Sequence, residues 1–219
     1  ISGAEISISL EAGQALTVNA NTSITGTGNV TLEADQMTLS SAGGDSIAAG
    51  SNGTLALQAV TDGTLLKIGA NAGADSPTTL AIDSTDLGAL SSASGAIQFG
   101  TATVNGNTTI DNGASLAFTP DLTIFADDLT VADALSTSDN LTASADDLTI
   151  NGSLTSTGTT TLTVNGDLTE SAGSDTTTDI AATTLTINNA AAIGSNGTDA
   201  LNLAVTKLVV SGADGDAFI

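Results

Sequence analysis

Two aspartate pairs stand 19 residues apart in near-identical surroundings: Ala126-Asp127-Asp128-Leu129-Thr130-Val131 and Ala145-Asp146-Asp147-Leu148-Thr149-Ile150. If one copy lies on the other, four carboxylates gather at a spacing of about 5 Å. They then repel one another unless hydrated, screened or bridged. Ca²⁺ is the ion suited to bridging them, because it takes six to eight oxygen ligands and accepts carboxylates from a turn. Asp127, Asp128, Asp146 and Asp147 are therefore the candidate metal ligands, with Ca²⁺ the candidate cofactor. The competing and stronger account is a solvated turn whose aspartates cap backbone amides. The glycine-rich nonapeptide of calcium-binding β-rolls is absent, and Gly212-Ala213-Asp214-Gly215-Asp216 is only a loose acidic turn.

Other chemistries are excluded or disfavoured by residue type. With no His and no Cys, Ser-His and Cys-His nucleophilic devices cannot be built. Paired carboxylates could hydrolyse a glycoside, but there is no Arg, Tyr or Trp to grip a sugar, so no enzyme is expected. Lys67 and Lys207 are the only basic residues against 24 acidic ones, a formal charge of −22. Binding to nucleic-acid phosphates is excluded on that balance, and anionic membrane surfaces are disfavoured. No apolar run approaches the roughly 20 residues of a membrane span.

The elements that must position these residues are strands. Thr, Ser, Gly, Asn and Asp dominate, and they disfavour helix interiors. High charge and few aromatics would allow disorder. Against that, 40% of residues are apolar, mean hydropathy is +0.26 and the apolar residues are regularly spaced. The recurring unit is apolar–polar–apolar, as in Val30-Thr31-Leu32, Leu122-Thr123-Ile124 and Leu162-Thr163-Val164. That alternation marks a short strand with one buried face. Asn-Gly or Asp-Gly often follows, at Asn52-Gly53, Asp62-Gly63, Asn151-Gly152, Asn165-Gly166 and Asn196-Gly197, and is expected to supply positive φ at turns.

The triplets sort into three columns. The first runs through Ile6, Val30, Leu55, Leu80, Ala102, Leu122, Leu141, Leu162, Ile180 and Leu201, at intervals of 18 to 25 residues. The second runs through Leu16, Met37, Leu66, Leu87, Thr108, Leu129, Leu148, Leu168, Leu185 and Leu208. A looser third takes in Ile24, Ile47, Ile97, Leu116, Leu135, Leu154, Ile193 and Phe218, with Phe99 and Phe118 stacked inside it. A period near 20 with three strands per repeat predicts a single-stranded parallel β-helix, right-handed by analogy with parallel crossovers. Residues 1–219 then form one continuous all-β solenoid of about ten three-sided coils, a rod of roughly 45 Å.

Outward Thr should line two faces, with Thr123, Thr142 and Thr163 on one and Thr130, Thr149 and Thr186 on the other. Double Thr rows can bind ice, but here the second row is broken at Asp121, Asn140 and Asp179-Ile180, and Thr is in any case a good strand residue. Asn-x-Ser/Thr sequons at Asn21, Asn29, Asn52, Asn107, Asn140, Asn151 and Asn196 arise readily by chance in such a composition.

The segment 121–170 carries Leu148-Thr149-Ile150-Asn151-Gly152, Leu162-Thr163-Val164-Asn165-Gly166 and Gly166-Asp167-Leu168-Thr169. In these strings it resembles the repeat region of filamentous haemagglutinin-like adhesins, large Gram-negative exoproteins exported by two-partner secretion. The Asn-Pro motifs of that family's secretion domain are absent. The resemblance implies a stalk segment, secreted or held at the bacterial surface, whose partners are neighbouring coils, copies of itself end to end, or a host, matrix or cell-surface target. Calcium-stabilised adhesive modules and polysaccharide-degrading β-helix enzymes are the alternatives. The chain opens in mid-pattern and reads as a mature piece or fragment.

Overall fold

The computed structural model describes residues 8–40, 46–103, 106–170, 177–194, 200–212 and 215–219. Expectations at Ile6 and Gly197 lie outside the described residues. The chain winds as an all-β parallel solenoid, and its one described helix is the four-residue Ser84–Leu87. All pairings between named strands are parallel.

The first face stacks nine strands in chain order: Ile8–Val18, Val30–Leu39, Thr54–Gln58, Ala96–Phe99, Asp121–Phe125, Leu141–Ala145, Thr159–Val164, Ile180–Asn188 and Leu203–Ser211. That stack corresponds to about eight turns. The second face orders Thr79–Ile82, Leu65–Ile68, Thr108–Ile110, Asp128–Val131, Asp147–Ile150, Asp167–Glu170 and Ala192–Ile193. The third carries Leu116–Phe118, Ala134–Thr137 and Ser153–Ser156. It then merges with the first face, because Ile180–Asn188 runs through the corner, pairing Ile180 with Leu154 and Leu185 with Thr160.

Period-two burial within each strand builds the core. Leu122, Ile124, Leu129, Val131 and Leu135 turn inward while Thr123, Thr130 and Ser136 turn outward. One apolar cluster runs from Val18 to Leu201 along the axis. Leu129 and Leu148 stand in register, as do Val131 and Ile150, so the literal repeat is one turn of the solenoid.

Several column assignments differ from expectation. Leu80 belongs to the second face, paired with Leu66, because the chain doubles back after Ile68 and inserts Thr79–Ile82 on the amino-terminal side. Ile97, not Ala102, continues the first face between Leu55 and Leu122. Leu87 sits in the helix, while Leu185 and Leu208 lie on the first face. Ile193 follows Leu168 on the second face. Phe99 and Phe118 do meet, edge to face with centroids 5.8 Å apart, but from two different faces across the core.

The Asn-Gly turns also work differently. Among the four dipeptides within the described residues only Gly63 has positive φ, at 77°. A Cβ on Gly152 would lie 2.2 Å from the carbonyl carbon of Asp133, and one on Gly53 2.3 Å from the Gly28 oxygen. These glycines let successive turns approach at the corners.

Candidate functional site

Asp127 and Asp128 lie at the corner between the first and second faces, and Asp128 stands in register with Asp147 one turn on. The stacking anticipated for the two pairs is therefore present. Burial first, then the charges of Asp62, Asp146 and Asp128, push the Asp127 carboxyl above its usual range. Asp62 had no visible connection to this corner in the sequence, since it comes from the corner ahead of Leu65–Ile68. The other two carboxylates have partners in the following turn. Asp146 Oδ1 accepts from Asn165 Nδ2 at 3.0 Å, and Asp147 Oδ1 from the Asp167 amide at 2.7 Å. Among the described residues no three acidic side chains converge so as to hold a metal ion.

The Asp147 contact is one of a series. Asn29 Oδ1 accepts from the Thr54 amide, Asp121 Oδ1 from the Asn140 amide, and Asn140 Oδ1 from the Thr159 amide, all at 2.9–3.0 Å. Asp179 Oδ2 accepts from Asn202 N at 2.7 Å, and Asp133 Oδ2 from Asn112 N and Gly113 N at 2.9 and 2.6 Å. Asp35 takes Val60 N, Thr61 N and Thr61 Oγ1. At these corners the strand ladder ends and leaves amides without a strand partner, part-buried at Val60, Thr61, Asn112, Asn140, Thr159 and Asn202 and exposed at Thr54, Gly113 and Asp167. A carboxylate or side-chain amide of the adjacent turn supplies the acceptor. Aspartates do cap backbone amides, as the competing account held, but the amides belong to neighbouring turns.

The Thr rows follow the revised register. On the first face Thr123, Thr142, Thr161 and Thr186 form one row, and Thr163 belongs instead to a row with Ser144 and Asn188. On the second face Thr109, Thr130, Thr149 and Thr169 align, and Thr149 and Thr169 hydroxyls lie 3.3 Å apart. The row beginning at Asp121 and Asn140 continues with Thr159 and Thr184, because Asp179-Ile180 precedes the corner on the third face.

Of the depressions among the described residues, two stand beside unpaired strand edges. A groove of about 420 Å³ lies where Leu116–Phe118 finds no partner strand on its amino-terminal side. Leu116 and Phe118 are consequently half-buried, whereas Leu135, Leu154 and Ile180 in the same column are fully buried. A three-residue edge offers far less than the roughly 1,000 Å² of a specific protein interface. The second, an open cleft of about 790 Å³, is lined by Met37, Asp75, Ala81, Asp83 and Asp86.

No family model, curated protein or solved structure matches the chain. Among the described residues no helix is long and apolar enough to cross a membrane.

Proposed function

We propose that this chain is a stretch of structural shaft, the stalk of a secreted or surface-displayed bacterial adhesin or extracellular fibre. The observation that carries the reading is the side-chain ladder at the corners, in which Asp and Asn bond successive turns together beyond the strand pairing itself. Each turn is thereby fastened to its neighbours, so stiffness extends with length while the core keeps a constant cross-section. The central prism is filled with side chains, which suits a spacer and not a ligand pocket. The net charge of −22 opposes side-by-side association and favours contact at the axial ends, with further coils or with a second copy. The coil is taken as right-handed, the usual sense of parallel crossovers.

Electron microscopy of the purified chain and of versions with turns added or removed tests this. The expected result is rods whose length changes by about 4.8 Å per turn. Compact particles of unchanged length would overturn it. Surface placement is tested separately, by protease shaving of intact source cells followed by peptide identification.

A calcium-stabilised module is the second reading, favoured by the mutual repulsion at Asp62, Asp127, Asp128 and Asp146. A melting temperature that falls by many degrees in EDTA and returns with Ca²⁺ would select it over a metal-free shaft.

A further inference from the structure

The two ends of the solenoid share a form that its middle lacks. At the amino-terminal end Ile8–Val18 and Val30–Leu39 are 11 and 10 residues long, and at the carboxy-terminal end Ile180–Asn188 and Leu203–Ser211 are each 9. No described strand between them exceeds 6 residues. Each long strand runs through a corner and serves two faces. Val30–Leu39 starts on the first face, where Val30 pairs with Leu55. A carboxylate seam sets its second half beside Thr79–Ile82 of the second face: Asp75 accepts from Met37 N at 2.9 Å and Ala81 N at 2.7 Å, and Asp86 from Leu39 N at 2.6 Å. Leu203–Ser211 follows Ile180–Asn188 from the third face onto the first.

The apolar spacing also matches. Leu203, Val205, Leu208 and Val210 are spaced as Leu32, Ala34, Met37 and Leu39 are. Ile8–Val18 already pairs with the latter set through Leu10, Ala12, Leu16 and Val18, and a register shift between Ala12 and Ala15 takes up its extra residue. The outer edges of Ile8–Val18 and Leu203–Ser211 have no strand partner among the described residues. Leu208 and Val210 are 39% and 41% exposed, whereas Leu185 and Ile187, beside them in the same columns, are fully buried. With Ile219 they make three of the four exposed large apolar side chains among the described residues. An open edge that carries exposed apolar residues is a template for another strand.

We propose that Leu203–Ser211 of one copy pairs in parallel with Ile8–Val18 of a second copy, turned by one face about the axis, so that rods join head to tail. Leu203 and Val205 then stand beside Leu10 and Ala12, and Leu208 and Val210 beside Leu16 and Val18. The turn is required because the carboxy-terminal strand spans the third and first faces, and the amino-terminal strand the first and second. Lys207, exposed at one end, and Glu11, exposed at the other, bring opposite charges to the joint. The inference deepens the axial contact of the shaft reading and rests on it only there.

Sedimentation velocity of the whole chain, from micromolar to millimolar concentration, tests joining. Species of two, three and more copies should grow with concentration, and more so at high salt, which screens the net charge. The double variant Leu208→Lys, Val210→Lys should stay monomeric. Should it fail to fold, cysteine pairs decide, and they report alone because the chain has no Cys. Oxidation of Val209→Cys, Thr17→Cys should give a ladder of linked copies that reduction dissolves, since partners in register on neighbouring strands lie within disulfide reach. Val209→Cys, Ser9→Cys, the pairing without the turn, should link about tenfold more slowly. One monomeric species at every concentration, association that persists in the folded lysine variant, equal linking by the two cysteine pairs, or products that stop at dimers would each overturn the proposal. Monomeric rods that lengthen turn by turn would leave the shaft standing without the joint, whereas joined particles whose length ignores turn number would do the reverse.

Discussion

At the scale of single residues, the polar groups inside this core differ in whether they are paired. Thr108 is 1% exposed, stands between Leu66 and Leu129 in the second-face column, and its hydroxyl has no hydrogen-bond partner. Leaving a buried hydroxyl unpaired costs about 1–3 kcal/mol. Thr108→Val keeps the shape and removes that cost, so denaturant unfolding should show a gain of about 1 kcal/mol. Thr160 supplies the contrast, being just as buried but 2.9 Å from the Ser156 hydroxyl. Thr160→Val orphans Ser156 and should lose about 1 kcal/mol in the same assay. Asp35 is the strongest corner acceptor, holding two amides and a hydroxyl while 7% exposed. Its replacement by Ala leaves the Val60 and Thr61 amides without their acceptor, and a loss of about 3 kcal/mol is expected by chemical denaturation. A loss below about 0.5 kcal/mol, the range of ordinary surface changes, would show that the corner bonds do not fasten the turns.

At the scale of elements, the corner decides which residues can follow one another. Gly152→Ala places a methyl against the Asp133 backbone and should cost about 2–3 kcal/mol. Gly63→Ala meets open space and bears only the positive-φ penalty, about 1 kcal/mol. Thermal or denaturant unfolding of the two variants separates close approach from backbone conformation as the reason for glycine. The same corners explain what the sequence discloses. Between Leu116 and Leu168 each face recurs every 19 or 20 residues, so Leu129, Leu148 and Leu168 can be aligned by counting. Elsewhere counting loses phase, because triplets on all three faces look alike and only corner length tells them apart. The doubling-back before Thr79 adds an extra strand to one face, and Ile180–Asn188 removes a corner altogether. Leu80, Ile180 and Leu185 were displaced by these two events. The aspartate corner was legible as a stack at Asp128 and Asp147, but its bonding was not, since Asp121 and Asp147 act on amides 19 and 20 residues away. The Asp75–Asp86 seam gives no sequence signal, because its acceptors serve Met37 and Leu39 from 38 and 47 residues downstream.

At the scale of the molecule, a solenoid whose turns contact only their neighbours should tolerate the loss of one complete turn. The aspartate pairs define where to cut. Removing residues 128–146 joins Asp127 to Asp147 and regenerates Ala-Asp-Asp-Leu-Thr-Ile across the junction. Thr108–Ile110 then faces Asp147–Ile150, placing Leu148 over Thr108 as Leu129 was before. On the first face Asp121–Phe125 meets Thr159–Val164, with Leu122 over Thr160 in place of Leu141. On the third face Leu116 meets Leu154 in place of Leu135. The shortened chain should therefore unfold in one cooperative transition, with a rod shorter by about 4.8 Å in small-angle scattering. A deletion of half that length from the same start rotates every later residue onto another face, directing Leu148 and Leu168 away from their column. Loss of several kcal/mol or failure to fold is expected of it, because apolar columns form only when all three faces keep phase. If both deletions proved equally damaging, the turn would not be the unit of this structure, and neither the corner ladder nor the shaft built from it would hold.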